Sequence, residues 1–94
     1  MSKYTFKLYI AGQSPNSTRA IENLKSFCEE VLKKQYEIDV INVIENPQLA
    51  VYHNIIATPT LVRETPSPAQ RIIGDLSNKE KLMSMLGTLS SSQT

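Results

Sequence analysis

The chain opens on strict alternation. In "YTFKLYIA" the residues Tyr4, Phe6, Leu8 and Ile10 share one parity, and Thr5, Lys7 and Tyr9 share the other. A period of two, rich in aromatic and β-branched side chains, predicts a β-strand with one face turned inward. Gly12 to Ser14 breaks the pattern. From about Asn16 the apolar positions become Ile21, Leu24, Phe27, Cys28, Val31 and Leu32, three and four residues apart. That spacing predicts an amphipathic helix of roughly four to five turns with Cys28 inside its apolar stripe. In "YEIDVINVI" nearly every position from Ile38 to Ile44 is apolar. Such a run predicts a strand buried on both faces and lying parallel to a neighbour. "ENPQLAVYHNII" predicts a short helix with Asn46 as its cap and Pro47 at its first position.

"ATPTLVRE" predicts a third strand entered through Pro59. "TPSP", Thr65 to Pro68, is a turn, because two prolines one residue apart cannot both sit in a ladder. "QRIIG" predicts a short fourth strand hairpinned onto the third. In "SNKE", Ser77 and Glu80 have the spacing of a capping box, opening a last helix that carries Leu82, Met83, Leu86 and Leu89. Residues 90–94, "SSSQT", are expected to be a disordered polar tail, leaving one domain over residues 3–89. The order β-α-β-α-β-β-α, with a right-handed crossover joining the first two strands, is the thioredoxin-like α/β arrangement. In that arrangement Pro59 enters the third strand opposite the turn at Ser14–Ser17.

Composition adds mainly exclusions. Ninety-four residues suffice for one compact domain. Ten basic residues against nine acidic ones give a formal charge of +1, so no global field recruits nucleic acid or a membrane. No apolar run approaches the ~20 residues of a membrane span. The opening "MSKYTFK" has neither the apolar block nor the cleavage site of a secretory signal, and a cytoplasmic location is the expectation. One cysteine and one histidine supply neither a C-x-x-C pair nor a zinc constellation. Neither a cofactor nor a metal is expected.

The turn "GQSPNS" lies where a thioredoxin-like fold can hold a cysteine pair, stabilised as thiolate by the helix N-terminus. Here those positions are Ser14 and Ser17, flanking Pro15 and Asn16. Hydroxyls cannot cycle through a disulfide, so the turn is a degenerate redox site, and Ser14, Asn16 or Ser17 reads as a helix cap. A hydrolase nucleophile would need a base and an orienting acid. His53 stands alone, with no G-x-S-x-G turn, and reads as a surface or capping residue. Cys28 reads as a small core hydrophobe. At Pro59 two readings stand side by side: a plain strand-start proline, or a cis proline that leaves backbone free to pair with a peptide. Lys3, Lys7, Arg19, Lys25, Arg63 and Arg71 form no single run. Lys7 and Arg63 alternate with apolar neighbours and read as solvated charges, or else as a docking face for an acidic protein.

Taken together and in order, "KLYIAGQSPNS", "ENPQLA", "ATPTL" and "RIIGDLSNKEK" strongly resemble the KaiB family over roughly residues 4–82. The resemblance implies a non-enzymatic partner of the KaiC ATPase. In the cyanobacterial clock, KaiB docks on the N-terminal ATPase ring of phosphorylated KaiC, sequesters KaiA and displaces a histidine kinase that carries a KaiB-like sensor domain. The resemblance also implies fold switching, between a tetrameric ground state ordered βαββααβ and a thioredoxin-like monomer competent to bind. A homo-oligomer, dimer or tetramer, is expected with it. Pro15, Pro59, Pro66 and Pro68 lie near the segments that rearrange and are the candidate switch prolines. Lys7, Arg19, Arg63 and Arg71 are the charges expected to meet KaiC.

The chain departs from the cyanobacterial pattern. Asp39 stands where a lysine is expected, Asn54 replaces a basic residue, and Gln70-Arg71 replaces a pair of arginines. Met85-Leu86-Gly87 stands for Gly-Leu-Asp, and "SSSQT" for an acidic tail. Fewer positive charges are expected to weaken or redirect docking on an acidic face. Two other classes remain: a free-standing sensor module of the kinase-linked type, and a glutathione-dependent thiol enzyme using Ser14 and Pro59.

Overall fold

A computed structural model describes residues 3–33 and 35–86. The elements are β1 (Tyr4–Ile10), α1 (Pro15–Phe27) continued by a π-helical turn (Cys28–Leu32), β2 (Tyr36–Asn42), α2 (Pro47–Tyr52), β3 (Thr60–Thr65), β4 (Gln70–Ile73) and α3 (Lys79–Met85). They form one four-stranded mixed sheet of order β2-β1-β3-β4. β2 runs parallel to β1, while β3 is antiparallel to both β1 and β4. The chain therefore has the expected mixed α/β element order. Gly87, Leu89 and the 90–94 tail lie outside the described residues.

Register decides which side chains share a face. Phe6 is paired with Ile38 and Arg63, and Leu8 with Val40 and Leu61. These positions form the helix-covered face, where Phe6, Leu8 and Leu61 are at most 2% exposed. Ala20, Leu24, Phe27 and Cys28 from the first helix close over them, with Leu82, Met85 and Leu86 from the last. Lys7 is paired with Asp39 and Val62, and Val62 with Arg71. These lie on the opposite, outer face. Part of this face is covered: Val62 and Tyr9 are buried, and the Tyr9 ring centroid lies 5.9 Å from that of His53, at the end of α2.

Three sequence expectations need correction. β2 is not buried on both faces; it is an edge strand paired only with β1, and none of its residues is fully buried. Its apolar residues follow from half-burial and β propensity rather than from a central position. α3 is capped by Asn78, whose side chain accepts from the Lys81 N–H at 3.2 Å, and not by Ser77. The Ser77 N–H is instead taken by the Asp75 carboxylate at 3.1 Å. Asn46 is the N-cap of α2 in position, yet its side chain caps nothing and its Nδ2 donates to the Asn42 carbonyl at 3.1 Å.

Candidate functional site

The Ser14–Ser17 turn is built as a helix start. Ser14 has extended backbone, and its Oγ accepts from the Ser17 N–H at 3.1 Å while donating to the Ser17 Oγ at 3.0 Å. Pro15 occupies the first helical position, where its missing N–H costs nothing. The Asn16 Oδ1 accepts from the Arg19 guanidinium at 2.7 Å. Each hydroxyl at this turn is thus committed to its own helix. The Pro59 ring is buried, its peptide bond is cis, and its carbonyl accepts from the Gly74 N–H at 2.9 Å. The Thr65–Pro66 and Ser67–Pro68 bonds are also cis. Cys28 is fully buried in the core, and burial pushes its thiol up to about 12. That is the opposite of an activated thiolate.

The four basic residues expected to meet a partner do not converge on one surface. Lys7 lies on the outer face, 3.4 Å from the Glu64 carboxylate, with Asp39 in register beside it. Arg19 lies on α1, 3.4 Å from Asp75. Hydrogen bonds from Ser77, with Arg19 alongside, hold the Asp75 carboxyl below its ordinary range. Arg71 reaches across the outer face to donate to the carbonyls of Asn54, at 2.9 Å, and His53.

Arg63 is a correction. It is 3% exposed and donates to the carbonyls of Met85 and, at 2.6 Å, Pro68. Pairing with Phe6 and Gln70 puts it on the helix-covered face, under α3. In this fold its guanidinium is not open to a partner.

Sequence reasoning missed an apolar surface. α2 buries none of its residues. Along the segment that includes it, Ile44 is 66% exposed, Val51 78%, Tyr52 80% and Ile56 88%, with Leu49 also exposed. Isolated exposed apolar residues need no explanation, whereas several on one segment make a candidate interaction surface. The two Arg71 hydrogen bonds tie this segment to β4, where Ile73 is also exposed. The signal in the sequence was "QLAVYHNII", a helix too short to hide so many apolar side chains.

The outer face near β2 is different in kind. A cavity of about 530 Å³ there is lined by Thr5, Phe6, Lys7, Glu37, Ile38, Asp39 and Glu64. It is predominantly acidic. Among the described residues no three metal-ligating side chains cluster, and no helix is long and apolar enough to cross a membrane.

Residues 7–88 match the KaiB domain. The chain belongs to the KaiB family. It is 51% identical over 80 residues to the circadian clock oscillator protein KaiB of Thermosynechococcus vestitus, covering 85% of this chain and 74% of that protein. The KaiB of Microcystis aeruginosa is 50% identical over the same length, covering 85% and 77%. Among solved structures, the N-terminal domain of Synechococcus elongatus SasA superposes with a TM-score of 0.70 at 26% identity, over 80% of this KaiB-family chain and 71% of that one. Chloroplastic thioredoxin z gives a TM-score of 0.76 at 22% identity, over 96% and 80%. That second likeness shows the fold alone. The element order read from the hydrophobic pattern is therefore the thioredoxin-like one.

Within the family frame, the departures from the cyanobacterial pattern acquire places. Asp39 adds a carboxylate beside Lys7. Asn54 has a positive φ of 56° and lends its carbonyl to Arg71. Gln70 is in register with Arg63, and Met85 and Leu86 are buried in the core.

Proposed function

We propose that this chain is a non-enzymatic adaptor that docks on a KaiC-type ATPase and modulates its activity in a circadian or related timing system. The observation that carries this reading is the exposed apolar run from Ile44 to Ile56, held to β4 by Arg71. Several large apolar side chains left open on one segment suit a docking surface, and the family supplies the class of partner. The hydroxyls at Ser14 and Ser17 and the carbonyl at Pro59 are spent within the fold, which supports an adaptor over a thiol enzyme. KaiA, or a histidine kinase with a KaiB-like domain, would act on the same complex where the host has them, and self-association into a dimer or tetramer would shield the run between dockings. A cytoplasmic location fits these partners.

The test is retention on the immobilised cognate KaiC-type ATPase, with and without ATP. The chain should be retained, and a Tyr52→Asp/Ile56→Asp variant should bind at least tenfold more weakly with an unchanged melting temperature. Failure of the wild-type chain to bind under either condition rejects the reading. The likeness to the SasA N-terminal domain supports a second reading, a free-standing sensor module. That module would associate in a single fast phase with no slow step on mixing.

A further inference from the structure

Arg63 is a buried cation with incomplete partners. It is 3% exposed, and its hydrogen bonds run to two neutral carbonyls, Met85 at the end of α3 and Pro68 in the β3–β4 turn. Its Nε has no partner among the described residues. The adjacent carboxylate, Glu64, points to the other face and is held by Lys7. Among the described residues the ion pairs are Lys7–Glu64, Arg19–Asp75 and Lys79–Glu30, and none reaches Arg63. A buried guanidinium without a carboxylate gives up its hydration and recovers only part of it from carbonyl acceptors.

The two sides of this junction are held very unequally. Arg63 belongs to β3, which is hydrogen-bonded to β1 on one side and β4 on the other. α3 is seven residues long and buries Leu82 and Met85, followed by Leu86. A helix that short is not stable undocked. If the junction opens, α3 leaves and the guanidinium regains water.

We propose that Arg63 acts as a release catch, making α3 the first part of this fold to detach. The hydration recovered by Arg63 offsets part of the cost of exposing Leu82, Met85 and Leu86 to water. Opening therefore comes more easily than the apolar docking alone would allow. The rest of the sheet, held by its ladders, stays closed. The consequence is specific in sign: an apolar side chain of similar volume at position 63 should hold α3 down more firmly, whereas removal of a clasp that merely fastens α3 would loosen it.

Native-state hydrogen exchange, resolved by segment at low denaturant, tests this on the wild-type chain and on Arg63→Met. In the wild type, amides of residues 79–86 should exchange at least tenfold faster than those of β1 and β3, by an opening that leaves the latter protected. In Arg63→Met the same α3 amides should slow by about tenfold, with β1 changed far less. Equal protection of α3 and β1 in the wild type overturns the proposal without recourse to any variant. Faster α3 exchange in Arg63→Met overturns it too, showing the two hydrogen bonds to be a fastener. Should Arg63→Met fail to fold, Arg63→Leu is the second variant, and failure of both also counts against the catch.

Discussion

The two faces of one sheet are built to different ends. On the helix-covered face Phe6, Leu8 and Leu61 are almost fully buried and meet side chains from α1 and α3. On the outer face Tyr9 and Val62 are covered, and α2 lies there without burying a residue. The first face carries the fold, and the second can change its chemistry without unfolding it. Asp39 belongs to that second face, a carboxylate in register with Lys7 on the uncovered side.

A matched pair of truncations should separate the two faces most widely. Leu61→Ala removes a fully buried side chain from the helix-covered face and should cost about 3 kcal/mol, within the range for leucine deletions in cores. Ile56→Ala removes an equally large side chain that is 88% exposed, and should change stability by less than ~0.5 kcal/mol. Urea unfolding of the two variants measures both. Similar losses would mean that the α2 segment is part of the core after all. Retention of Ile56→Ala on the ATPase column, scored beside its stability, shows whether the exposed run serves binding.

Cys28 sharpens the same contrast through pH. Its thiol is raised to about 12 by burial, with Glu29 adding to the shift. An unfolded thiol ionises near ~8.5. Because the folded value is the higher one, the stabilisation is fully present below the unfolded value and is lost as pH rises through the folded one. Between pH 8 and pH 11 the wild-type chain should lose about 3 kcal/mol more than Cys28→Ala does, the amount that linkage gives for a shift from ~8.5 to about 12. Alkylation by iodoacetamide at pH 8 should be at least a hundredfold slower in the native protein than in urea. Rapid native alkylation would place the thiol at the surface.

What the sequence disclosed depends on how one-sided each element is. β1 was legible because Tyr4, Phe6, Leu8 and Ile10 keep one parity and are all buried, even though Tyr9 on the other parity is buried too. β2 misled because Ile38, Val40, Ile41 and Val43 are apolar at both parities, as in a central strand, although it lies at the edge. Arg63 misled for a related reason. Leu61 and Val62 are both apolar, so alternation cannot say which face the next residue takes, and only the pairing with Phe6 settles it. Ser77 and Asn78 are adjacent capping residues, and a one-residue choice between them is decided by the Asp75 carboxylate. The family was legible from four motifs in order, whereas the exposed apolar run needed the structure, since burial of α2 depends on what lies above it.

The turn that most resembles a redox site should yield only a modest change when altered. Ser14 satisfies one orphan N–H of α1 through its Oγ, and Ser17 is 2% exposed with its own Oγ hydrogen-bonded to Ser14. Ser14→Ala should therefore cost about 1 kcal/mol, the typical value of an N-cap hydroxyl. Ser14→Asp, which keeps an acceptor and adds a negative charge at the helix N-terminus, should recover most of it. Thermal melts of the two variants decide the matter, alongside binding to the ATPase. If the turn is only a cap, binding follows stability and Ser14→Asp behaves as wild type. If Ser14→Asp is as stable as wild type and yet no longer binds, the turn itself touches the partner, and the division between a structural face and a docking face fails at that corner of the molecule.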